Sequence, residues 1–182
     1  MELNTTYLFF VGDIEIPNSQ PTKPSGERLG HFISKYETKM LKDVLGYELY
    51  SLLDANSTQG SGIYHDLING KDFTDSLGRS NRWVGFKTIG SSMLANFIYF
   101  NYMGNRETVS TGVGEKMPQA ENMANASSEI KMITAWNEMV DIVSVLHDFL
   151  VQSKADYPTY IGLESMYYGN YNYFIKKNIF GL

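Results

Sequence analysis

Apolar residues recur at helical spacing along three long stretches of this chain. From Glu27 to Leu45, the residues Leu29, Phe32, Ile33, Tyr36, Met40, Leu41, Val44 and Leu45 share one face, and Lys35, Lys39, Lys42 and Asp43 lie largely opposite. Gly46 follows as a helix stop, and a shorter helix over Tyr47–Leu53 continues at a new angle. A third main helix is predicted over Arg82–Met103, with Trp83, Phe86, Ile89, Met93 and Phe97 inward. Its small residues Gly85, Gly90, Ser91, Ser92 and Ala95 weaken it by propensity but let a second backbone come close, which predicts a central position. The longest helix starts at Pro118 or near Ser127 and runs to Gln152. Ile130, Ile133, Trp136, Val140, Val143, Leu146 and Leu150 form its apolar face, opposite Glu138, Asp141, Ser144 and Asp148.

Between these stretches the pattern changes. Tyr7–Ile16 reads as an extended segment, because Asp13 and Glu15 alternate with Ile14 and Ile16. The following Pro17–Gly26 holds three prolines, which fix φ and remove donors, and reads as a linker that joins neither helix nor sheet. Asn56–Gly62 is a loop, a short helical piece lies near Tyr64–Ile68, and a further loop extends through Asn81. Arg106–Lys116 reads as a polar loop. Beyond Asp156 no helical period persists, and a short strand at Tyr173–Ile179 is the one regular element suggested there. The expected fold is therefore mainly α: a bundle of about four to five helices (residues 27–155), an extended N-terminal arm with its linker (1–26) and an irregular Tyr-rich tail (156–182).

Composition sharpens this in one respect. The 182 residues include 13 Tyr and 10 Phe, an aromatic fraction of 14%, while only 19% are charged. Tyrosine has an apolar body and a polar tip, so it suits half-buried and interfacial positions. Absence of cysteine removes disulfides, thiolate nucleophiles and thiolate metal sites. A formal net charge of −5 argues against general binding to nucleic acid. The Tyr7–Val11 run is too short for a signal or a membrane span, so the chain is expected to be soluble and made in the cytoplasm, and the Asn4–Thr6 and Asn125–Ser127 triplets carry no weight as glycosylation sites.

The search for chemistry yields little. His31, His65 and His147 have no second histidine one turn away, so no helical metal pair exists, and each reads as structural or solvated. Gly112-Val-Gly-Glu-Lys116 only superficially resembles a phosphate loop: its glycines are too close and Met117 stands where a hydroxyl residue is needed. Ser128-x-x-Lys131 matches one motif of penicillin-binding enzymes, but its companions are absent, and Lys87-Thr88 lacks the glycine that would complete one of them. Serine at a helix start is explained by capping. No catalytic, cofactor or metal residue is nominated, and the chain is expected not to be an enzyme. The residues expected to act are interface residues: Phe9, Phe10, Ile14 and Ile16 in the arm, and Tyr167, Tyr168, Tyr171, Tyr173 and Phe174 in the tail.

Residues Tyr36 to Leu53, with the break at Leu45-Gly46, resemble the first helix pair of phage head–tail connector (adaptor, head-completion) proteins. The Trp83-led segment ending Tyr99-Phe-Asn-Tyr102, then Thr111-Gly112, then Ala135-Trp-Asn-Glu-Met139 continue the likeness, and Phe9 to Pro17 is similar to the N-terminal segment of those from crAss-like and related Bacteroidales phages. The resemblance spans about residues 7 to 155 and rests on packing motifs; nothing in it matches the tail. It implies a virion subunit at the head–tail junction, in a ring commonly of about twelve copies beneath the portal protein, closed by a heterologous interface. Such a ring extends the DNA channel, passes DNA without specific binding, and docks the next tail component. A different class, a helical scaffolding or regulatory protein that binds a partner through the Tyr-rich tail, fits the same residues.

Overall fold

The computed structural model describes residues 5–106, 109–111, 114–116, 126–163 and 174–178, with side chains described for 5–105, 129–163 and 174–178. It is mainly helical, as the periodicity predicts. Among the described residues five α-helices follow one another: α1 (Pro24–Leu45), α2 (Tyr47–Asn56), α3 (Ile63–Asn69), α4 (Met93–Arg106) and α5 (Ala126–Gln152). Strands β1 (Lys71–Thr74) and β2 (Ser80–Trp83) form an antiparallel hairpin after α3, and β3 (Val109–Thr111) pairs antiparallel with β4 (Gly114–Lys116).

α4 is the central element. Every residue from Ser92 to Tyr99 is buried between α1 and α5. Ser92 caps it, its hydroxyl accepting from the Ala95 N–H at 3.1 Å. A methyl group at Gly104 would lie 3.3 Å from the Met132 side chain, which shows how closely α5 approaches there. At the α4 C-terminus, Arg28 of α1 donates to the Asn105 carbonyl at 3.3 Å, setting a cation where the helix dipole is negative.

The core has two lobes. One gathers Met40, Leu41, Leu45, Leu49, Leu53, Leu67, Trp83, Phe86, Leu146 and Phe149 where α1, α2, α3, the first hairpin and the C-terminal half of α5 meet. Trp83 is fully buried there, and its indole N–H donates to the Leu67 carbonyl at 2.7 Å. The other lobe gathers Phe9, Phe10, Ile14, Ile16, Leu29, Ala95, Ile98, Tyr99, Tyr102 and Ala135. Between α1 and α2, Gly46 takes φ 77°, which lets the chain turn without a break in burial.

Several expectations are corrected. The Tyr7–Ile16 segment is not a strand but two 3₁₀ turns, Tyr7–Phe9 and Gly12–Ile14. Its alternation is real as burial, with Ile14 and Ile16 in and Asp13 and Glu15 out, but the inward side chains lie on helices instead of on a ladder. The prolines do not bar the linker from a helix, because Pro24 occupies the first turn of α1, where a missing N–H costs nothing. The third helix begins at Met93, not Arg82. Trp83 belongs to β2, the chain turns at Gly85 and Gly90 (both at positive φ), and Ile89 is exposed. The loop before Asn81 contains the β1–β2 hairpin, and the loop before Lys116 contains β3 and β4. The latter is an antiparallel hairpin, whereas a phosphate loop joins a strand to a helix. Ile130 is exposed at the start of α5. Residues 174–178 form no strand.

Candidate docking site on helix α5

After α5 the chain turns back over it. Tyr157 and Tyr160 are buried in the larger lobe, so the body extends past residue 155. The Tyr157 hydroxyl donates to the Ile63 carbonyl, and Phe149 packs edge-on against its ring. His147 Nδ1 and the Tyr160 hydroxyl share a hydrogen bond of 2.9 Å, and Lys154 donates to the Tyr160 carbonyl. Burial pushes both phenols up from their ordinary value; at Tyr157 the nearby acids Asp66 and Asp156 add to it.

Residues 174–178 lie along the N-terminal half of α5, and the contacts there are made largely to main chain. Asn137 holds Lys177 from both sides: its amide nitrogen donates to the Lys177 carbonyl at 2.9 Å, and its amide oxygen accepts the Lys177 N–H at 2.7 Å. The indole of Trp136 donates to the Ile175 carbonyl at 2.7 Å. Two lysine heads complete the contact. Lys176 pairs with Asp141 at 2.8 Å, and the Lys177 ammonium sits 4.9 Å from the Trp136 ring and 5.8 Å from Phe100 of α4. Trp136 itself is 8% exposed and packs on Phe100 with centroids 4.8 Å apart.

This arrangement holds an extended peptide segment. A side-chain amide that pairs with both the N–H and the C=O of one residue reads backbone, as a sheet edge does in strand addition. Asp141 also borders a cleft of about 330 Å³, walled by Glu138 and Ile142 of α5 and by Arg82, Val84 and Ser91. The clamp thus opens onto free space on the same helix face. A second cleft, of about 380 Å³, lies where the arm and linker meet α1, between Tyr7, Pro21, Leu29 and Ile33.

The residues expected at interfaces are divided by the structure. Phe9, Phe10, Ile14 and Ile16 are 2–8% exposed and pack within this chain's own core, so the arm presents other residues, among them Leu8 and Val11, to solvent. The backbone N–H of Thr5 ties it to α1 through Glu37 at 3.0 Å. Phe174 is half-buried against the larger lobe, next to the clamped segment. Tyr167, Tyr168, Tyr171 and Tyr173 lie outside the described residues. The sequence pattern gives Asn137 and Asp141 no mark as site residues; the one signal is an asparagine in mid-helix beside a tryptophan, where a poor helix former needs a reason. Among the described residues no group of three His, Asp or Glu side chains could hold a metal ion, and no helix is long and apolar enough to cross a membrane. Comparison of the chain with protein-family models, with curated proteins and with solved structures finds no match.

Proposed function

We propose that this chain is a virion assembly subunit of the head–tail connector kind. In this reading it forms a ring between portal and tail, extends the DNA channel and docks the next component. The observation that carries it is the α5 clamp, a surface site on a helical body that holds an extended segment by its main chain. Recognition of main chain by a folded body is one way in which subunits are joined, and that supports the reading. The resemblance of residues 7 to 155 to connector proteins supplies the rest, and the formal charge of −5 suits a channel wall that DNA slides past.

The test is light scattering and negative-stain imaging of the purified chain, alone and with a candidate portal protein. Rings, or a defined complex with the portal, are expected. A monomer that ignores the portal under all conditions overturns the connector reading. It would favour the second one, a scaffolding or regulatory protein. For that reading, the specific support is that the clamp is filled by the chain's own segment, as in a self-occupied partner site.

A further inference from the structure

The formal charge of −5 is a sum, and on α1 the two signs are segregated. Arg28, His31, Lys35, Lys39 and Lys42 succeed one another at intervals of three or four residues, and all five are exposed. At the helical pitch they fall within an arc of about 80° and run for about 21 Å along the axis. The acids of α1 stand off this line. Glu27 and Asp43 lie at its flanks, and Glu37, on the far side, accepts the Thr5 N–H. Lys39 pairs with Asp43. The other three cations of full charge are steadied by uncharged groups. Arg28 donates to the carbonyl and side-chain oxygens of Asn105 at 3.3 and 3.2 Å. The ammonium of Lys35 lies 5.0 Å from the Tyr36 ring, and that of Lys42 lies 5.1 Å from the Tyr50 ring. These contacts hold the heads in place without cancelling their charge.

What such a face can take is decided by what it lacks. From Glu27 onward no exposed residue of α1 is apolar. A protein partner needs aromatic or aliphatic anchors at the centre of its interface, and this face offers none. A helix lying on a membrane buries an apolar side in it, whereas Leu29, Met40, Leu41 and Val44 of α1 are spent on the core. Small residues stand beside the cations instead: Gly30 and Ser34 are exposed and Thr38 is partly so. A methyl group at Gly30 would meet nothing within 4 Å, so the surface is open there. Lysine, arginine and hydroxyl side chains are the usual donors to phosphate oxygens. Duplex DNA carries one negative charge per ~1.7 Å of axis, so a line of about 21 Å faces roughly a dozen phosphates.

We infer that the outer face of α1, from Arg28 to Lys42, seats the phosphate backbone of duplex DNA without reading its sequence. At physiological salt, charges more than about 8 Å away are largely screened. A phosphate strand lying on α1 therefore responds to the cations beneath it more than to acids elsewhere on the body. The acidic remainder keeps the hold weak, so the duplex is guided and not gripped. The inference does not rest on the assembly reading; if both hold, α1 is the face turned to the channel.

The test is fluorescence anisotropy of a labelled, mixed-sequence duplex of about twenty base pairs, titrated with the full-length chain. Three or four phosphate contacts give a log–log salt slope of about −3, so affinity should fall roughly sixtyfold between about 50 and 200 mM salt. Lys35→Gln together with Lys42→Gln should flatten the slope by about 2 and weaken binding at least about tenfold at the lower salt. Lys87→Gln together with Lys131→Gln removes the same charge from exposed sites off α1 and should leave the slope unchanged. All four lysines are exposed, and matched melting temperatures check that both variants fold. A labelled polyglutamate peptide is the second probe. Failure to bind the duplex at the lower salt overturns the inference, as does an equal loss in the two double variants. Binding of polyglutamate but not of the duplex overturns it in favour of an acidic protein partner. Rings that bind the portal but ignore the duplex defeat this inference alone, and a monomer that binds the duplex but ignores the portal defeats the connector reading alone.

Discussion

The hydroxyl of Tyr157 reaches the main-chain carbonyl of Ile63 at 2.6 Å, joining residues ninety-four positions apart and fixing the chain beyond α5 to the start of α3. A buried bond of this kind contributes about 1 kcal/mol net. Tyr157→Phe should lower the unfolding free energy by about that amount at pH 7, read from urea denaturation.

The same residue gives an alkaline signature. Burial holds the folded phenols of Tyr157 and Tyr160 above their ordinary value, whereas unfolded tyrosine ionises near ~10. Above that pH the unfolded chain binds fewer protons than the folded one, so stability is full below it and falls as pH rises. The difference between wild type and Tyr157→Phe should therefore narrow between pH 9 and pH 11. A constant difference across that range would show that the phenol is not protected.

At the tip of the first hairpin, Asp75 is the organiser. One carboxylate oxygen accepts the N–H groups of Leu77 and Arg79, each at 2.9 Å, and the other accepts from the Arg79 guanidinium at 2.8 Å. The backbone bond from Arg79, then its side chain and the Leu77 N–H, hold the carboxyl below the usual range against the opposing effect of burial. The folded carboxyl's proton affinity is depressed, so its stabilisation is present above the unfolded value and is lost as pH falls through the folded one. Hydrogen-exchange protection factors at Leu77 and Arg79, corrected for the intrinsic pH dependence of amide exchange, should be high near neutrality and fall in acid below the normal aspartate range. Asp75→Asn keeps an oxygen acceptor, so the acid-dependent step should vanish while the turn survives.

Two glycines of α1 should respond to alanine with opposite signs. A methyl group at Gly26 would lie 1.9 Å from the Gln20 carbonyl oxygen, a backbone atom that cannot swing aside, whereas at Gly30 nothing lies within 4 Å. Gly30→Ala should stabilise by roughly 0.5–1 kcal/mol through helix propensity. Gly26→Ala should destabilise by about 2 kcal/mol or more, because the linker must be pushed off the helix. Melting temperatures of the two variants check both signs at once.

The clamp itself should be separable from folding. Asn137→Ala removes two bonds to an exposed segment. Global stability should stay within about 0.5 kcal/mol, as for surface changes generally. Hydrogen exchange at the Lys177 amide should rise about tenfold if that bond is the source of its protection. Equal exchange in variant and wild type would mean that the segment is held elsewhere.

The helices α1 and α5 were legible because a sustained 3.6-residue period leaves few alternatives. The start of α4 was not. Trp83 and Phe86 continue an apolar spacing that suits a helix, but the indole of Trp83 is spent on the Leu67 carbonyl, and Gly85 and Gly90 turn the chain before Met93. β1 and β2 are four residues each and mostly exposed, so neither carries an alternation to detect. The arm shows the converse: Ile14 and Ile16 gave a true burial pattern, but period two cannot distinguish a ladder from a segment lying on helices. The clamp was the least legible feature. Asn137 and Trp136 act on main-chain atoms some forty residues away, and a backbone has no sequence signature.

The arm's position also orders events in time. Phe10, Ile14 and Ile16 are synthesised some eighty or more residues before Ala95 and Ile98 of α4 and Ala135 of α5, which share the cluster that buries them. Until those helices form, Leu29 of α1 and its neighbours give the arm's apolar residues only partial cover. Closing so long a loop makes folding slower than for a bundle whose helices meet only their sequence neighbours. A nascent chain of this protein must therefore keep these apolar residues waiting until α5 is made, and it is exposed to self-association throughout that interval.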